Sequence, residues 1–343
     1  MKNIALIAGG DSSEYVVSLK SAQGLYPYFD TERYRVYLVL MRKGKWTVEA
    51  PEEIANALSN GITDILPTKG IAEIDKNDFS FQVDGQKIKI DYAYITIHGH
   101  PGEDGRLQGY FDLLGIPYSS CGVLASAMTF NKYINNQFLK TQGIRVADSI
   151  LLQKNTRKEV VDTDEIIHRL GLPVFVKPND GGSSFGITKV KEESQLFSAI
   201  NKAFTEGNGV IVERFIAGTE VTCGCYKTNA KQVVFPITEV VTENEFFDFD
   251  AKYKGKALEI TPARLTKELT TAIQQETLRI YDLIGAKGII RVDYIIPSDN
   301  LPVILEVNTT PGMTENSFIP QQIKASGMDV KDVLTDIIEN SLL

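Results

Sequence analysis

The sequence predicts an α/β fold that passes into an α+β fold, on three observations. The first third alternates short apolar strands with helical stretches, the pattern of a parallel sheet covered by helices. Glycine-rich turns close those strands, as at Gly9-Gly10 and His98-Gly99. The last third replaces the alternation with long alternating strands and one extended amphipathic helix. At about 100–200 residues per domain, 343 residues make two or three domains. Texture changes put the boundaries near 121 and 216, giving segments 1–121, 122–216 and 217–343.

The elements follow in order. Ile4–Ala8 is an apolar strand, Ser18–Tyr28 a helix, and Arg35–Leu40 and Tyr92–Ile97 further strands. Asp104–Leu114 is a helix with Asp104 as its cap and Gly115 as its stop. Ala125–Gln142 reads as one continuous helix. Leu172–Lys177 is a strand, Asp180–Gly186 a polar glycine loop, Ile187–Val190 the return strand, Glu192–Phe204 a helix and Gly209–Glu213 a strand. Glu220–Lys227 and Gln232–Val241 read as long antiparallel strands, and Thr266–Ile284 as an amphipathic helix. Ile289–Ile296 and Pro302–Val307 form a hairpin about Ser298-Asp299-Asn300.

Composition bounds the function. Hydrophobic residues are 43% and charged residues 23%, and the net charge is −8. That balance excludes the basic footprint of a nucleic-acid protein. It leaves room for an anionic ligand, because a local cluster of Lys and Arg suffices. Three cysteines cannot build a disulfide framework, and they read as packing residues of a reducing compartment. The apolar run after Met1-Lys2-Asn3 is too short for a signal-peptide core. No stretch reaches the ~20 apolar residues of a membrane helix. The expectation is a cytoplasmic protein.

Four stretches carry chemistry. In the last hairpin, alternation makes Arg291 and Asp293 co-facial, and likewise Glu306 and Asn308 on the neighbouring strand. Paired, they converge a cation, two acids and an amide, a set suited to Mg²⁺. The plainer reading is a solvated sheet face with an Arg–Asp pair. Thr309–Met313 then lets the backbone bend close to a ligand, and Ser317 follows. Lys177 leads into Asn179–Gly186, a loop able to offer N–H groups to phosphate oxygens, or else a flexible hairpin tip. It is not a Walker A loop, since a strand replaces the helix. Asp248–Tyr253 is a loop of acids, aromatics and a Lys-Tyr pair, richer than a linker needs. His98 and His100 lack further ligands at metal spacing, so a turn before a helix is the simpler account; His168 sits in a charged surface helix.

In order along nearly the whole chain, these residues resemble the ATP-grasp superfamily, and within it the D-alanine–D-alanine ligases. The match runs through Gly9-Gly10-Asp11-Ser12-Ser13-Glu14, His98-Gly99, Gly102–Gly105, Asn131-Lys132, Val176-Lys177-Pro178 and Gly182–Gly186. It continues through Gly218–Thr222, Ala251-Lys252-Tyr253, Arg291-Val292-Asp293 and Glu306–Thr314. The resemblance implies an ATP-grasp fold behind a Rossmann-like, substrate-binding domain at 1–121. Segment 122–216 becomes the ATP-grasp subdomain with a phosphate flap, and 217–343 the subdomain with the lid loop and Mg²⁺ site.

The resemblance also implies roles. Lys132 and Lys177 would hold ATP phosphates, with Ser184 in the flap. Glu213 would line the adenine slot, Glu220 would take the ribose hydroxyls, and Lys252 would reach the γ-phosphate. Asp293, Glu306 and Asn308 would bind two Mg²⁺ ions, for which Mn²⁺ can substitute. Glu14, Ser183 and Tyr253 would tie the lid to the first D-alanine, near His98. Arg291 and the Gly312 N–H would meet the oxyanion, and Ser317 beside Phe318 would hold the second D-alanine. Four positions depart from the family's usual pattern: Tyr15-Val16 where an acid follows Glu14, Asn131 for Asp, Arg214 for Lys and Phe318 for Leu. The implied activity is ligation of two D-alanines for the peptidoglycan precursor, in a cytoplasmic homodimer. The alternatives are a D-alanine–D-lactate or D-alanine–D-serine ligase, or another ATP-grasp carboxylate–amine ligase.

Overall fold

The computed structural model describes residues 1–60, 70–154, 161–181, 186–242 and 257–340. The N-terminal strands are β1 (Lys2–Gly9), β2 (Tyr34–Arg42), β3 (Lys45–Glu49), β4 (Ala72–Glu73), the hairpin β5 (Phe81–Val83) and β6 (Gln86–Ile88), and β7 (Tyr92–Ile95). Helices α1 (Tyr15–Leu25), α2 (Pro51–Ser59) and α3 (Arg106–Leu114) accompany them. β4-β3-β2-β1-β7 form one sheet in which β1 is parallel to both β2 and β7. The chain leaves β1 for β2 on one side and returns to β7 on the other. The crevice beyond the carboxyl ends of β1 and β7 is therefore a topological switch point, where ligands of such sheets gather. Gly9 permits the exit: its φ is +107° and a Cβ would lie 2.2 Å from the Met41 carbonyl oxygen.

The expected 125–142 helix is two helices, α4 (Val123–Phe130) and α5 (Lys132–Thr141). Asn131 breaks it, with φ −88° and ψ 98°, and its Oδ1 accepts the Ile134 N–H at 3.0 Å. A side chain that caps a new helix competes with continuing the old one. The break places Lys132 on the first turn of α5. At α3 the cap position is Gly105, in the left-handed region, while Asp104 Oδ1 accepts the Arg106 N–H at 3.2 Å. The expected helix at 18–28 begins earlier, at Tyr15, and gives way to a short turn at Tyr26–Tyr28.

The central strands β8 (Ser149–Gln153), β9 (Val174–Pro178), β10 (Thr188–Val190) and β11 (Gly209–Arg214) form an antiparallel sheet ordered β10-β9-β11-β8. α6 (Thr163–Leu170) and α7 (Glu193–Ala203) pack on it through Ile166, Leu170, Leu196 and Ile200. The last sheet joins β12 (Thr219–Lys227), β13 (Gln232–Val234), β14 (Thr238–Thr242), β15 (Ala257–Ile260), β16 (Gly288–Ile296) and β17 (Val303–Asn308). The expected strand 232–241 is split into β13 and β14 around Pro236, which cannot donate to a ladder. Helices α8 (Lys267–Leu283), α9 (Phe318–Ala325) and α10 (Val330–Asn340) complete the described chain.

The core crosses the sequence boundaries. Val333, Leu334 and Ile337 of α10 share a buried cluster with Ile4, Leu6 and Leu19 of the N-terminal layer and with Ile319 and Ile323 of α9. Such side chains contribute about 1.5–3 kcal/mol each when fully buried, so the C-terminal helices brace the first sheet against the last. Cys121, Cys223 and Cys225 are buried and free, as packing residues should be. Among the described residues, no helix is long and apolar enough to cross a membrane.

Candidate active site

A cleft of about 430 Å³ opens between the central and last sheets. It is lined by Lys132, Lys177, Glu213, Glu220, Arg291, Asp293, Glu306 and Phe318, so eight residues singled out in the sequence meet there. On its floor, Thr222, Asp293 and Glu306 stand in register across β12, β16 and β17, and Gly224, Arg291 and Asn308 form the adjacent row. Opposed residues share a face, which makes the expected convergence real. The β16–β17 register shifts after Asp293, leaving Leu305 without an opposite residue. A bulge at this point re-aims side chains into the cleft.

Asp293 is held from three sides. Arg291 clamps it through Nε at 2.8 Å and Nη2 at 2.7 Å, Thr222 Oγ1 donates at 2.6 Å, and Asn308 Nδ2 donates at 3.1 Å. Across the cleft, Lys177 Nζ donates to Glu213 Oε2 at 2.6 Å, and Asn136 Nδ2 donates to Glu213 Oε1 at 2.9 Å. Burial pulls the Lys177 ammonium down, but the Glu213 charge and hydrogen bond, with Glu306 and Glu220 beyond, outweigh it and raise its pKa. Lys132 Nζ lies 3.4 Å from Glu306 Oε2 and donates to the Gly181 carbonyl at 2.5 Å. The break at Asn131 is what aims it there.

The switch point of the first sheet lies close to this cleft, within electrostatic reach of Arg291. Glu14 and His98 are both buried. His98 Nε2 meets Ser21 Oγ at 3.0 Å. Burial lowers its pKa, partly opposed by the Glu14 charge, while Arg291 lowers it further. Gly99 packs beside Glu14: a Cβ there would be 3.3 Å from Glu14 Oε2. Gly312 and Ser317 lie together, since a Gly312 Cβ would be 2.9 Å from Ser317 Oγ, and that oxygen meets Thr314 Oγ1 at 2.7 Å. The Phe318 ring lies 5.3 Å from the Arg291 guanidinium carbon. Ser183, Ser184, Lys252 and Tyr253 fall outside the described residues. The His100 side chain pairs with Asp104 and Arg106, and His168 is exposed.

Four contributors were given no role by the sequence. Asn136 lies one helical turn beyond Lys132, a spacing that could have flagged it. Thr222 alternates with Glu220 on the same strand face. Glu103 accepts the Gly99 N–H at 2.7 Å, and burial followed by the Glu14 charge raises its pKa to about 8. Gln322, fully buried, accepts the Gly224 N–H at 3.0 Å and donates to the Thr222 carbonyl at 3.0 Å and Thr238 Oγ1 at 3.1 Å. It fills the gap where β14 has ended and β13 has not begun. Its signal was a glutamine on the apolar stripe between Ile319 and Ile323.

Asp293, Glu306 and the Asn308 amide form a hard oxygen donor set on adjacent strands, which fits Mg²⁺. Among the described residues no cluster of three or more His, Cys, Asp or Glu forms a metal site. Asp293, Glu306 and Asn308 would fill only part of an octahedral Mg²⁺ shell, leaving positions for phosphate oxygens and water.

Comparison with known proteins gives consistent matches. Residues 3–121 match the family model for the D-ala D-ala ligase N-terminus, and residues 138–339 that for the D-ala D-ala ligase C-terminus. A D-alanine–D-alanine ligase of Parabacteroides distasonis is 61% identical over 341 residues, covering 99% of this chain and 98% of that protein. The VanG D-Ala:D-Ser ligase of Enterococcus faecalis superposes with a TM-score of 0.85 at 33% identity, covering 98% of each chain. The D-alanine–D-alanine ligase of Bacillus anthracis complexed with ATP superposes with a TM-score of 0.74 at 28% identity, covering 99% of this chain and 97% of that one.

Proposed function

The chain belongs to the D-alanine–D-alanine ligase family, and we propose that its cleft joins two D-alanines at the expense of ATP, for peptidoglycan precursor synthesis. The observation that carries this is the meeting of Lys132 and Glu306 at 3.4 Å, which brings a phosphate-holding cation against the carboxylate floor from separate elements. The domain limits follow the same reading: 1–121 for the first substrate, 122–216 and 217–343 for the nucleotide.

A carboxylate is a poor electrophile and must be activated before an amine can attack it. Lys132 and Lys177 point into the cleft where nucleotide phosphates would lie, and they neutralise charge during phosphoryl transfer. Glu213 and Glu220 line the same cleft for base and ribose. Asp293, Glu306 and Asn308 would hold Mg²⁺; when bound, it supplies further neutralisation of the phosphates. Glu14 and His98 bound the end that would receive the first D-alanine. Arg291, fixed by Asp293, and the Gly312 N–H face the oxyanion formed when the second amine attacks the acyl phosphate. Ser317 would hold the second carboxylate. Ser183, Ser184, Lys252 and Tyr253 would serve the same scheme by keeping water from the acyl phosphate.

A homodimer is part of this proposal, supported by Leu113 and Leu124, 89% and 79% exposed on the adjoining helices α3 and α4. The test of function is phosphate release with D-alanine, L-alanine, D-lactate and D-serine. Release with D-alanine alone, together with dipeptide formation, is expected. Predominant D-alanyl-D-serine would favour the chemistry named for the VanG relative. No release with any of them would overturn the ligase reading.

A further inference from the structure

A polar pair that the proposed reaction does not use lies beside the second-amino-acid end of the cleft. Glu259 of β15 stands opposite Val240, which stands opposite Glu220, which stands opposite Ile295. Glu259 therefore shares the cleft face with Arg291 and Asp293, and Arg291 acts on it electrostatically. Its Oε2 accepts from Gln321 Nε2 at 2.5 Å. The same Nε2 donates to the Asn316 carbonyl at 3.0 Å. One amide thus joins β15 to both sides of Ser317: the residue before it and the first turn of α9 after it.

Docking of α9 does not require this pair. Ile319, Gln322 and Ile323 already bury the helix, and Gln322 alone makes three hydrogen bonds to the strands beneath. A half-buried carboxylate adds a desolvation cost to a contact that apolar residues could have made. What it adds in return is direction. A hydrogen bond to a charged group is stronger and more angle-dependent than apolar packing. Among the described residues, the Ser317 hydroxyl is held locally, by Thr314.

We propose that Glu259 and Gln321 are positioning residues for the second amino acid, fixing the turn that presents Ser317 and Phe318 and so setting the fit of the incoming substrate. This rests on the reading that Ser317 holds the second D-alanine. The test compares Glu259→Leu and Gln321→Ala by steady-state kinetics over a wide range of D-alanine at saturating ATP, which separates the constants of the two sites. Each variant should raise the KM of the second site about tenfold, the loss of one charge-assisted hydrogen bond. The first-site and ATP constants should stay within about twofold, and Tm should hold. The reversed pair, Glu259→Gln with Gln321→Glu, should restore the second-site KM.

Second-site KM values unchanged in both single variants would overturn the proposal. So would a fall in Tm with all constants changing together, or a reversed pair no better than the singles. Ser317→Ala separates the two levels of argument. If it raises the second-site KM while the pair variants do not, the pair has no positioning role. If it leaves that KM unmoved, the assignment of the pocket fails and takes this proposal with it.

Discussion

Replacing Glu213 tests how the cleft keeps a lysine charged before any phosphate arrives. Lys177 and Glu213 side chains are only 13% and 6% exposed. Glu213→Leu leaves the ammonium buried without its hydrogen-bonded carboxylate, a loss of about 3–5 kcal/mol for a broken buried pair. Glu213→Gln is milder for a geometric reason. Glu213 accepts from both Lys177 and Asn136, whereas glutamine has one acceptor oxygen. Asn136 can turn, because its own buried Oδ1 has no partner among the described residues. After the turn, that oxygen takes the new glutamine N–H. The count of hydrogen bonds is kept, the unpaired place passes from Oδ1 to Nδ2, and the main loss is the charge, about 1–2 kcal/mol. At roughly 2–4 °C per kcal/mol, the leucine variant should melt on the order of 10 °C lower and the glutamine variant a few degrees lower. Nucleotide phosphates give Lys177 a new partner, so a saturating non-hydrolysable ATP analogue should return much of the leucine variant's loss. Thermal melts with and without the analogue measure this. A leucine-variant loss that is the same in both conditions, or a glutamine variant as damaged as the leucine one, would show that Glu213 does not hold the Lys177 charge.

Three further outcomes follow from the same geometry. Glu306→Gln should raise the Mg²⁺ concentration for half-maximal ADP release at least tenfold with little change in Tm, as expected of a ligand; an unaltered Mg²⁺ titration removes Glu306 from the metal site. Gln322→Leu strands the Gly224 N–H and the Thr222 carbonyl, at about 1–3 kcal/mol each, so chemical denaturation should show a loss of several kcal/mol, and an unmoved midpoint would show that the gap in β12 closes by other means. His98 carries a pH signature: burial holds its folded pKa below the ordinary value of about 6.5. The unfolded chain therefore binds the proton first as pH falls. Stability from this site is complete above about pH 6.5 and is lost on acidification through it. His98→Gln should flatten the acid limb of Tm between about pH 7 and 5, and an unchanged limb would mean that the ring is not what titrates.

The floor of the site was legible because it depends on short-range rules. Arg291, Asp293, Glu306 and Asn308 lie on one hairpin, where alternation and a turn signal together fix which side chains meet. Lys177 and Glu213 were legible as candidates but not as partners. Their strands are separated by α7, and a register of Ile211 against Lys177 leaves no local trace. Lys132 was legible as a residue but misplaced in its setting. Periodicity carries straight through Asn131, and only the cap to Ile134 and the backbone bridge from Asn131 to Asp180 show the break. Gln322 was hidden for the opposite reason: its helix has the period expected of a packed face, and the backbone groups it satisfies lie about a hundred residues away on β12.

The charge arrangement explains how an acidic chain can present a site for polyanions. Three cations on the cleft wall already have a carboxylate: Lys177 has Glu213, Lys132 has Glu306, and Arg291 has Asp293. Unpaired lysines buried there would carry a desolvation penalty in every molecule without substrate. Pairing removes that penalty, but it also sets a condition on binding. A nucleotide alone would bring its phosphates against Glu306 and Asp293, and a divalent cation alone would have to approach Lys132 and Arg291. Arriving together they satisfy both sets, the phosphates taking the lysines and the cation taking the carboxylates. The net charge of −8 is thus no obstacle, since the site is selective for a pair of opposite charges rather than for an anion.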